Sequence, residues 1–573
     1  MNLRRTLLLS LLIIGFYSCT TTEEIQYADA IYSNGKIYTA DSSNSMVEAV
    51  AIKNGRIIST GALEEVNKLK GDSTQSIDLN GATMTPGFIE GHGHMMGLGF
   101  NELDLDLLPV KSYDELVKIV AEAVANAEPG EWILGRGWHQ SKWNTENEMM
   151  VKGFQTHNKL SEVSPNNPVY LRHASGHAGI ANTKAMEIAG VLQMSKESLN
   201  ETEVDGGEII RDELGNPTGI FNERAMTLIT KHIPKNSPER MGKALQLATE
   251  ACWRNGITSF HDAGIDTTTI DLYHQAKEQG KLGVRMYAML TGFDQSLLNR
   301  WYEKGPEIDT VDYLLTIRSI KLNCDGALGS RGAWLLEEYT DRSGHFGMPT
   351  LPMDFVLETS RKGLANGFQV CSHAIGDRAN QEILDRYESA FTEYPNITDH
   401  RFRIEHAQHL HPDDIPRFGE LGVIPAMQAI HMSSDRPWAI DRLGEKRIVD
   451  GAYVWQSLIE TGATIVNGTD VPVEPIDPLA SFYASVSRKT LEGTPENGYE
   501  PRQKMTREQA LKSYTINAAY GAFQEEALGS IEVGKLADFT VFDEDIMTIP
   551  EAEILNTKVI KTVIGGEVVY ENN

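Results

Sequence analysis

Apolar residues fall in short β-like runs near both ends of the chain and in a regular strand–helix alternation between them. Ala30 to Thr39, Val47 to Lys53 and Arg56 to Thr60 are rich in residues that fit a pleated, half-buried surface. Asn54-Gly55 joins the last two as a hairpin dipeptide, because a two-residue turn needs backbone with positive φ. Ala537 to Phe542 and Val559 to Tyr570 have the same texture, with Gly565-Gly566 as a tight turn. Strands at both ends predict one small β-sandwich domain built from residues 28–85 plus 520–573.

Residues 86–519 alternate strands with helices, the pattern of a parallel sheet with crossovers. Eight strands are expected in order: Pro86–His94, Ile257–His261, Val284–Leu290, Ile320–Asp325, Phe368–His373, Phe402–His406, Gly422–Gln428 and Thr464–Asp470. Eight such strands point to an α/β fold with a closed (β/α)8 TIM-like barrel. The first connection is too long for one helix and carries its own strand, Pro168 to His173. It reads as an inserted subdomain over about residues 100–250, beside the barrel mouth.

The first eighteen residues lie outside this pattern. Arg4 and Arg5 form a basic start, and Leu7 to Tyr17 an apolar stretch too short to span a bilayer comfortably. Cys19 follows at once, so residues 1–18 resemble a bacterial lipoprotein signal, with lipid expected on Cys19 and residues 19–27 as a tether. Thr20 rather than Asp after the cysteine resembles outer-membrane sorting. The alternative is an ordinary secretory peptide with an incidental cysteine. Both predict an exported protein, periplasmic or attached to the outer membrane, that meets the membrane only through the anchor. A net charge of −28 repels phosphate backbones and argues against nucleic acid as a partner. With Cys19 set aside, Cys252, Cys324 and Cys371 are an odd number in apolar runs and read as small buried residues.

The chemistry begins at His92 and His94, in Thr-Pro-Gly-Phe-Ile-Glu-Gly-His-Gly-His. A strand sends residues two apart to one face, so both imidazoles can grip one metal ion, and Gly91 and Gly93 keep the space around them clear. Reactive residues of such a barrel sit at the C-terminal ends of its strands. Lys321 lies on the fourth strand, His373 ends the fifth, His406 ends the sixth and Asp470 ends the eighth. Imidazoles and a carboxylate suit zinc and similar divalent ions. Lys321 admits two readings: a barrel lysine paired to Asp325, or an amine that has captured carbon dioxide as an anionic carbamate able to bridge two cations. His431, after the seventh strand, is a candidate for contact with the substrate or oxyanion. Trp138 and His177 in the insertion could line the pocket or simply pack, and Asp325 and Asp377 could orient the site. In the sixth strand Phe402, Ile404 and His406 alternate with Arg401, Arg403 and Glu405, so the charged set is expected to face the surrounding helices.

Five further motifs, Gly135-Arg-Gly-Trp-His139, Lys321 to Ser330, His373 to Asn380, Arg403 to Gln408 and Gly534 to Asp538, complete the pattern. With the His pair they resemble the amidohydrolase superfamily, and more closely amidohydrolase family 3, the group of N-substituted formamide deformylase-like enzymes. The resemblance implies His92 and His94 as ligands of the more buried metal and Lys321 as the carboxylated bridging lysine. It implies His373 and His406 as ligands of a second metal, and Asp470 as ligand and general acid/base. One or two divalent ions, zinc foremost, and carbon dioxide on Lys321 are the implied cofactors. Glu90, His139 and Ser175 depart from the family's usual residues, which bears on substrate preference. The expected activity is metal-dependent hydrolysis of non-peptide C–N bonds in a small-molecule amide: N-acyl or N-formyl amines, or cyclic amides. A dipeptidase or N-acyl-amino-acid deacylase on the same scaffold is the rival, favoured by a basic group placed to meet a free carboxylate. A non-catalytic ligand-binding surface lipoprotein is the rival of another class. Oligomeric state, a homodimer included, is left open.

Overall fold

The structure, a computed structural model, describes residues 26–572 apart from 141–142, 144–149, 175, 177 and 194–206. The signal peptide, Cys19, His177 and Ser175 therefore lie outside the described residues.

The eight expected strands are present. Phe88–Gly93, Ile257–Ile265, Arg285–Thr291, Leu315–Asn323, Gln369–Ala374, Arg403–His406, Ile424–Met427 and Val466–Asn467 pair as parallel neighbours in chain order. They form a nearly closed (β/α)8 barrel. The first and eighth strands meet across the seam, where Asp470 N donates to His92 O at 2.8 Å and His94 N to Val471 O at 2.7 Å. Gly91 permits this closure: a Cβ there would lie 2.3 Å from Asn467 O. The glycine of the motif thus makes room for the eighth strand, and the atoms nearest an added Cβ belong to Val466 and Asn467 rather than to a histidine. Pro86 ends a strand of another sheet, and His94 has already left the first barrel strand as the residue before the helix Met95–Leu103.

The sixth strand corrects an expectation. Arg403 and Glu405 do not face the helices; both are completely buried inside the barrel, bonded to each other and to the first two strands. Phe402 instead packs outward against Tyr387 and Phe391 of the helix Asp377–Glu393. The alternation fails at its end because His406 and Ala407 take φ of 75° and 43°. That left-handed step swings the His406 ring to the side already used by Glu405, where a regular strand would have sent it away.

The inserted subdomain is narrower than expected. Its six-stranded sheet runs Gly207–Arg211, Pro217–Glu223, Ala178–Ala181, Val169–His173, Ile133–Trp138 and Leu105–Asp106, around an apolar core that includes Leu116, Trp138, Leu171 and Ile180. The helices that flank it belong to the barrel. Met95–Leu103 packs on Pro238–Arg254 so closely that a Cβ at Gly99 would lie 2.1 Å from Ala244 O.

The terminal strands join in one eight-stranded sheet ordered Glu567–Glu571, Val559–Ile564, Phe539–Phe542, Thr83–Pro86, Ala30–Tyr38, Met46–Lys53 and Arg56–Gly61, with Gln75–Asp78 beside Ala30–Tyr38. Asn54 and Gly55 take the positive φ the hairpin needs. The C-terminal share of this unit begins later than residue 520, because the helix Ile516–Gly521 packs against the barrel strands. Arg285 of the third barrel strand holds the unit in place through two bonds to Asp538, of 2.6 and 2.8 Å, with both side chains buried. Cys252, Cys324 and Cys371 are free and buried, as expected. Among the described residues no helix is long and apolar enough to cross a membrane.

Candidate metal centre

Asp470 follows the eighth strand with φ of 59°, which turns its carboxylate over the barrel mouth. Its Oδ1 lies 3.2 Å from His94 Nε2 and 3.7 Å from His92 Nε2. Its Oδ2 lies 3.9 Å from His431 Nε2. Two groups of donor atoms result, His92, His94 and Asp470 in one and His406, His431 and Asp470 in the other, with the donors of each group within 4.8 Å of one another. Asp470 is common to both.

The second nitrogen of each histidine is fixed from behind. His92 Nδ1 bonds Glu405, His94 Nδ1 faces Ala263 O at 3.0 Å, and His406 Nδ1 faces Gln428 Oε1 at 2.6 Å. All three partners are acceptors, so each Nδ1 carries the proton and each Nε2 keeps a lone pair for a cation. His431 is the exception. Its Nδ1 faces the Gln408 side-chain amide at 2.9 Å, a group that can donate or accept. The orientation of the Gln408 amide sets the tautomer. His431 Nε2 faces the mouth beside Asp470, as a lone pair or as a donor according to that orientation.

Glu405 is in turn gripped by Arg403 through bonds of 2.7 and 2.8 Å. Arg403 also bonds Gly91 O at 2.7 Å and faces His261 Nδ1 at 3.0 Å. A buried ion pair is costly to desolvate, and this one is tolerated because every strong donor has a partner. Burial works against the Glu405 charge, yet Arg403 and His92 hold its carboxyl well below the usual range. Burial pushes His92 down to about 4, against the pull of Glu405, so the ring is neutral at pH 7. Burial also opposes ionisation of Asp470, but the His94 contact and the other histidines hold it far below the usual carboxylate range. Glu90 goes the other way, pushed up to about 8 by complete burial. It bonds Thr469 N at 2.7 Å and Thr469 Oγ1 at 2.9 Å, tying the first strand to the loop that carries Asp470.

Lys321 is buried, and its Nζ bonds Asn323 Oδ1 at 2.9 Å rather than Asp325. Burial lowers its pKa, against the nearby charges of Glu405 and Asp470. Asp325 accepts the backbone N–H groups of Ile375, Gly376 and Trp334 at 2.8–3.0 Å and so shapes the turn after the fifth strand. His373 stands in neither donor group. Its ring is 4.4 Å from that of His406, and its Nε2 is 3.3 Å from Asp325 Oδ1 without hydrogen-bond geometry. Asp377 accepts Leu336 N and Arg378 N, each at 2.9 Å, at the start of its helix. Trp138 is wholly buried in the insertion core, with Nε1 bonded to Leu171 O at 2.9 Å.

His92 Nε2, His431 Nε2 and Asp470 Oδ1 are buried polar atoms with no hydrogen-bond partner. Orphaned donors and acceptors that converge are costly unless something binds them. A set of imidazole nitrogens and one carboxylate fits a zinc-like divalent ion. The roles of Arg403, Glu405, Gln408 and Gln428 were not apparent in the sequence. The signal that could have found the first two was a pair of opposite charges two residues apart on one face of a barrel strand that ends in a candidate ligand.

The sequence profile of the amidohydrolase family matches residues 75–570. The chain is 33% identical to Protein LONG AFTER FAR-RED 3 of Arabidopsis thaliana, over 95% of this chain and 92% of that one. It is 27% identical to the N-substituted formamide deformylase of Arthrobacter pascens, over 95% and 99%. An uncharacterized metal-dependent hydrolase from Pyrococcus horikoshii OT3 superposes with a TM-score of 0.73 and 26% identity, over 91% of this chain and 99% of that one. With a profile match across the barrel and the terminal sheet, and a donor set at the mouth suited to a divalent cation, this chain belongs to the amidohydrolase family.

Proposed function

We propose that this hydrolase cleaves non-peptide C–N bonds in small amides, N-acyl or N-formyl amines or cyclic amides, with one or two zinc ions at the barrel mouth. The convergence of His92, His94, His406 and Asp470, each imidazole held by an acceptor at its back, carries this reading. A divalent cation held there supplies Lewis acidity and lowers the pKa of a coordinated water towards ~7. Asp470 takes the proton from the attacking water and returns it to the leaving nitrogen. His431, with Nε2 aimed into the mouth, donates to the carbonyl oxygen as negative charge grows on it. Lys321 would serve as a carbamate: its amine nitrogen adds to the carbon of carbon dioxide and loses a proton, which would give an anion with two oxygens able to ligate a cation. His373, whose ring lies 4.4 Å from that of His406, would be a further imidazole ligand. We also propose export of the chain with lipid on Cys19; metabolic labelling with a radioactive fatty acid would then be lost in Cys19→Ser.

Metal content and turnover test the central reading together. About two ions per chain, with hydrolysis of N-acyl and N-formyl amines abolished by chelator and restored by zinc, is the expected result. One ion per chain removes the bridge at Lys321. No bound metal after incubation with zinc and bicarbonate overturns the mechanism.

A further inference from the structure

We infer that Arg136, Arg172 and Tyr170 form a binding site for a free carboxylate on the substrate, in a cavity beside the barrel mouth. The inference rests on the hydrolase reading above and specifies its substrate: an amide that also carries a carboxylate, the feature that favours N-acyl-amino-acid deacylation within that reading.

The site is built by register. In the inserted sheet Tyr170 pairs with Leu134 and Arg172 with Arg136, between parallel neighbouring strands. Residues two apart share a face, so both arginines and the tyrosine leave the same side of the sheet. All three line a cavity of about 230 Å³, whose far wall is Pro472 and Val473. Those two residues follow Asp470 by two and three positions, and Arg136 Nη1 reaches Pro472 O at 3.4 Å. A group in this cavity is therefore next to the loop that carries the proposed proton-transfer carboxylate.

Like charges directly opposite on adjacent strands are unfavourable. Asp106 stands opposite Arg136 on its other neighbouring strand and Asp470 lies within electrostatic reach of Arg136, but among the described residues no carboxylate is at ion-pair distance from either arginine. Among the described residues Arg172 donates to the carbonyl of Gly176, at 3.3 and 3.4 Å, and Arg136 to the carbonyl of Pro472. The Tyr170 hydroxyl is buried with no hydrogen-bond partner. Two acids border the cavity. Asp104 is already paired with Arg240, and Asp106 accepts the backbone N–H of Leu108 at 3.0 Å. What remains is two guanidinium groups bordering one space, with the Tyr170 side chain beside them and its hydroxyl over Gly179. Arginine is suited to a planar two-oxygen anion, and the cavity has room for a small substituent rather than a polymer.

The shared chemistry of a substrate carboxylate and a free inorganic anion is separated by the choice of probes. The zinc-loaded chain is titrated calorimetrically with 3-phenylpropanoate, with the neutral 3-phenylpropan-1-ol and with inorganic phosphate. The expected result is an acid that binds at least tenfold more tightly than the alcohol. That preference is lost in Arg136→Ala and in Arg172→Ala, reduced in Tyr170→Phe and partly kept in Arg136→Lys, which retains the charge without the planar fork. The Lys and Phe substitutions also keep most of the packing, should either alanine variant fold poorly. An acid preference unchanged in both alanine variants would mean the carboxylate binds elsewhere, such as on the metal, and would overturn the inference. Phosphate bound as tightly, with the same dependence on the arginines, would also overturn it by making this an inorganic-anion site. Absence of turnover on any amide would remove the hydrolase reading and leave this comparison intact.

Discussion

Asp470 sits in both donor groups, so its replacement separates proton transfer from ligation. Asp470→Asn keeps an oxygen ligand but cannot shuttle a proton; turnover is expected to fall by about 10²–10⁴-fold with metal retained, read by steady-state kinetics and metal analysis. Glu405→Gln acts from behind the site. It weakens the orientation of His92 and leaves Arg403 buried without its charge partner. Metal affinity is expected to fall by about 10–100-fold, measured by competition with a chelating dye. Stability is expected to fall by roughly 3–5 kcal/mol in denaturant unfolding. An unaltered affinity would show that Glu405 does not position His92. At this scale His92, His94, His406 and Asp470 were named from the ends of the expected strands, and the fold brings them together, although His94 lies past its strand and His373 stands outside both donor groups. Arg403 and Glu405 were not legible, because the direction of their face was inferred from His406, and His406 leaves the strand's period through a positive φ.

At the scale of elements, glycine marks where backbones meet. Gly91→Ala would place a methyl group against Asn467 O and pry the first strand from the eighth. A loss of about 1–3 kcal/mol is expected, together with most of the activity, since the seam also positions Asp470. Gly242 makes the contrast. It lies inside the helix Pro238–Arg254, is exposed, and has no atom within 4 Å of an added Cβ. Gly242→Ala should stabilise the chain by about 0.5–1 kcal/mol without changing turnover, read from paired melting curves and rates. The strands and the Asn54-Gly55 hairpin followed from local pattern. The limits of the insertion did not, because the helices Met95–Leu103 and Pro238–Arg254 are amphipathic either way and only their mutual packing assigns them to the barrel.

Across the whole molecule, one buried ion pair and the metal couple parts distant in sequence. Arg285 and Asp538 join the barrel to the terminal sheet. Asp538→Ala strands a buried guanidinium, so roughly 3–5 kcal/mol of stability should be lost, and the terminal sheet should become the first region to exchange its amide hydrogens. Metal is expected to stabilise the fold by mass action, about 2.7 kcal/mol at a free concentration 100 times its Kd. Removal by chelator should therefore lower the melting temperature, and added zinc should restore it; an unchanged temperature would argue against a tightly held ion.

The sequence by itself determined the eight strands, the hairpin turns at the termini, the buried cysteines and the histidine pair, because each depends on residues within a few positions of one another. Tertiary structure alone decided which residues meet. Closure of the barrel brought Asp470 to His92, a carboxylate from the sixth strand fixed the proton on His92, and Gln408 came to face the His431 ring. Strand register set Arg136 beside Arg172. These outcomes depend on how strands separated by tens to hundreds of residues align and close, and a shift of one position in any of them would turn the side chains to the other face.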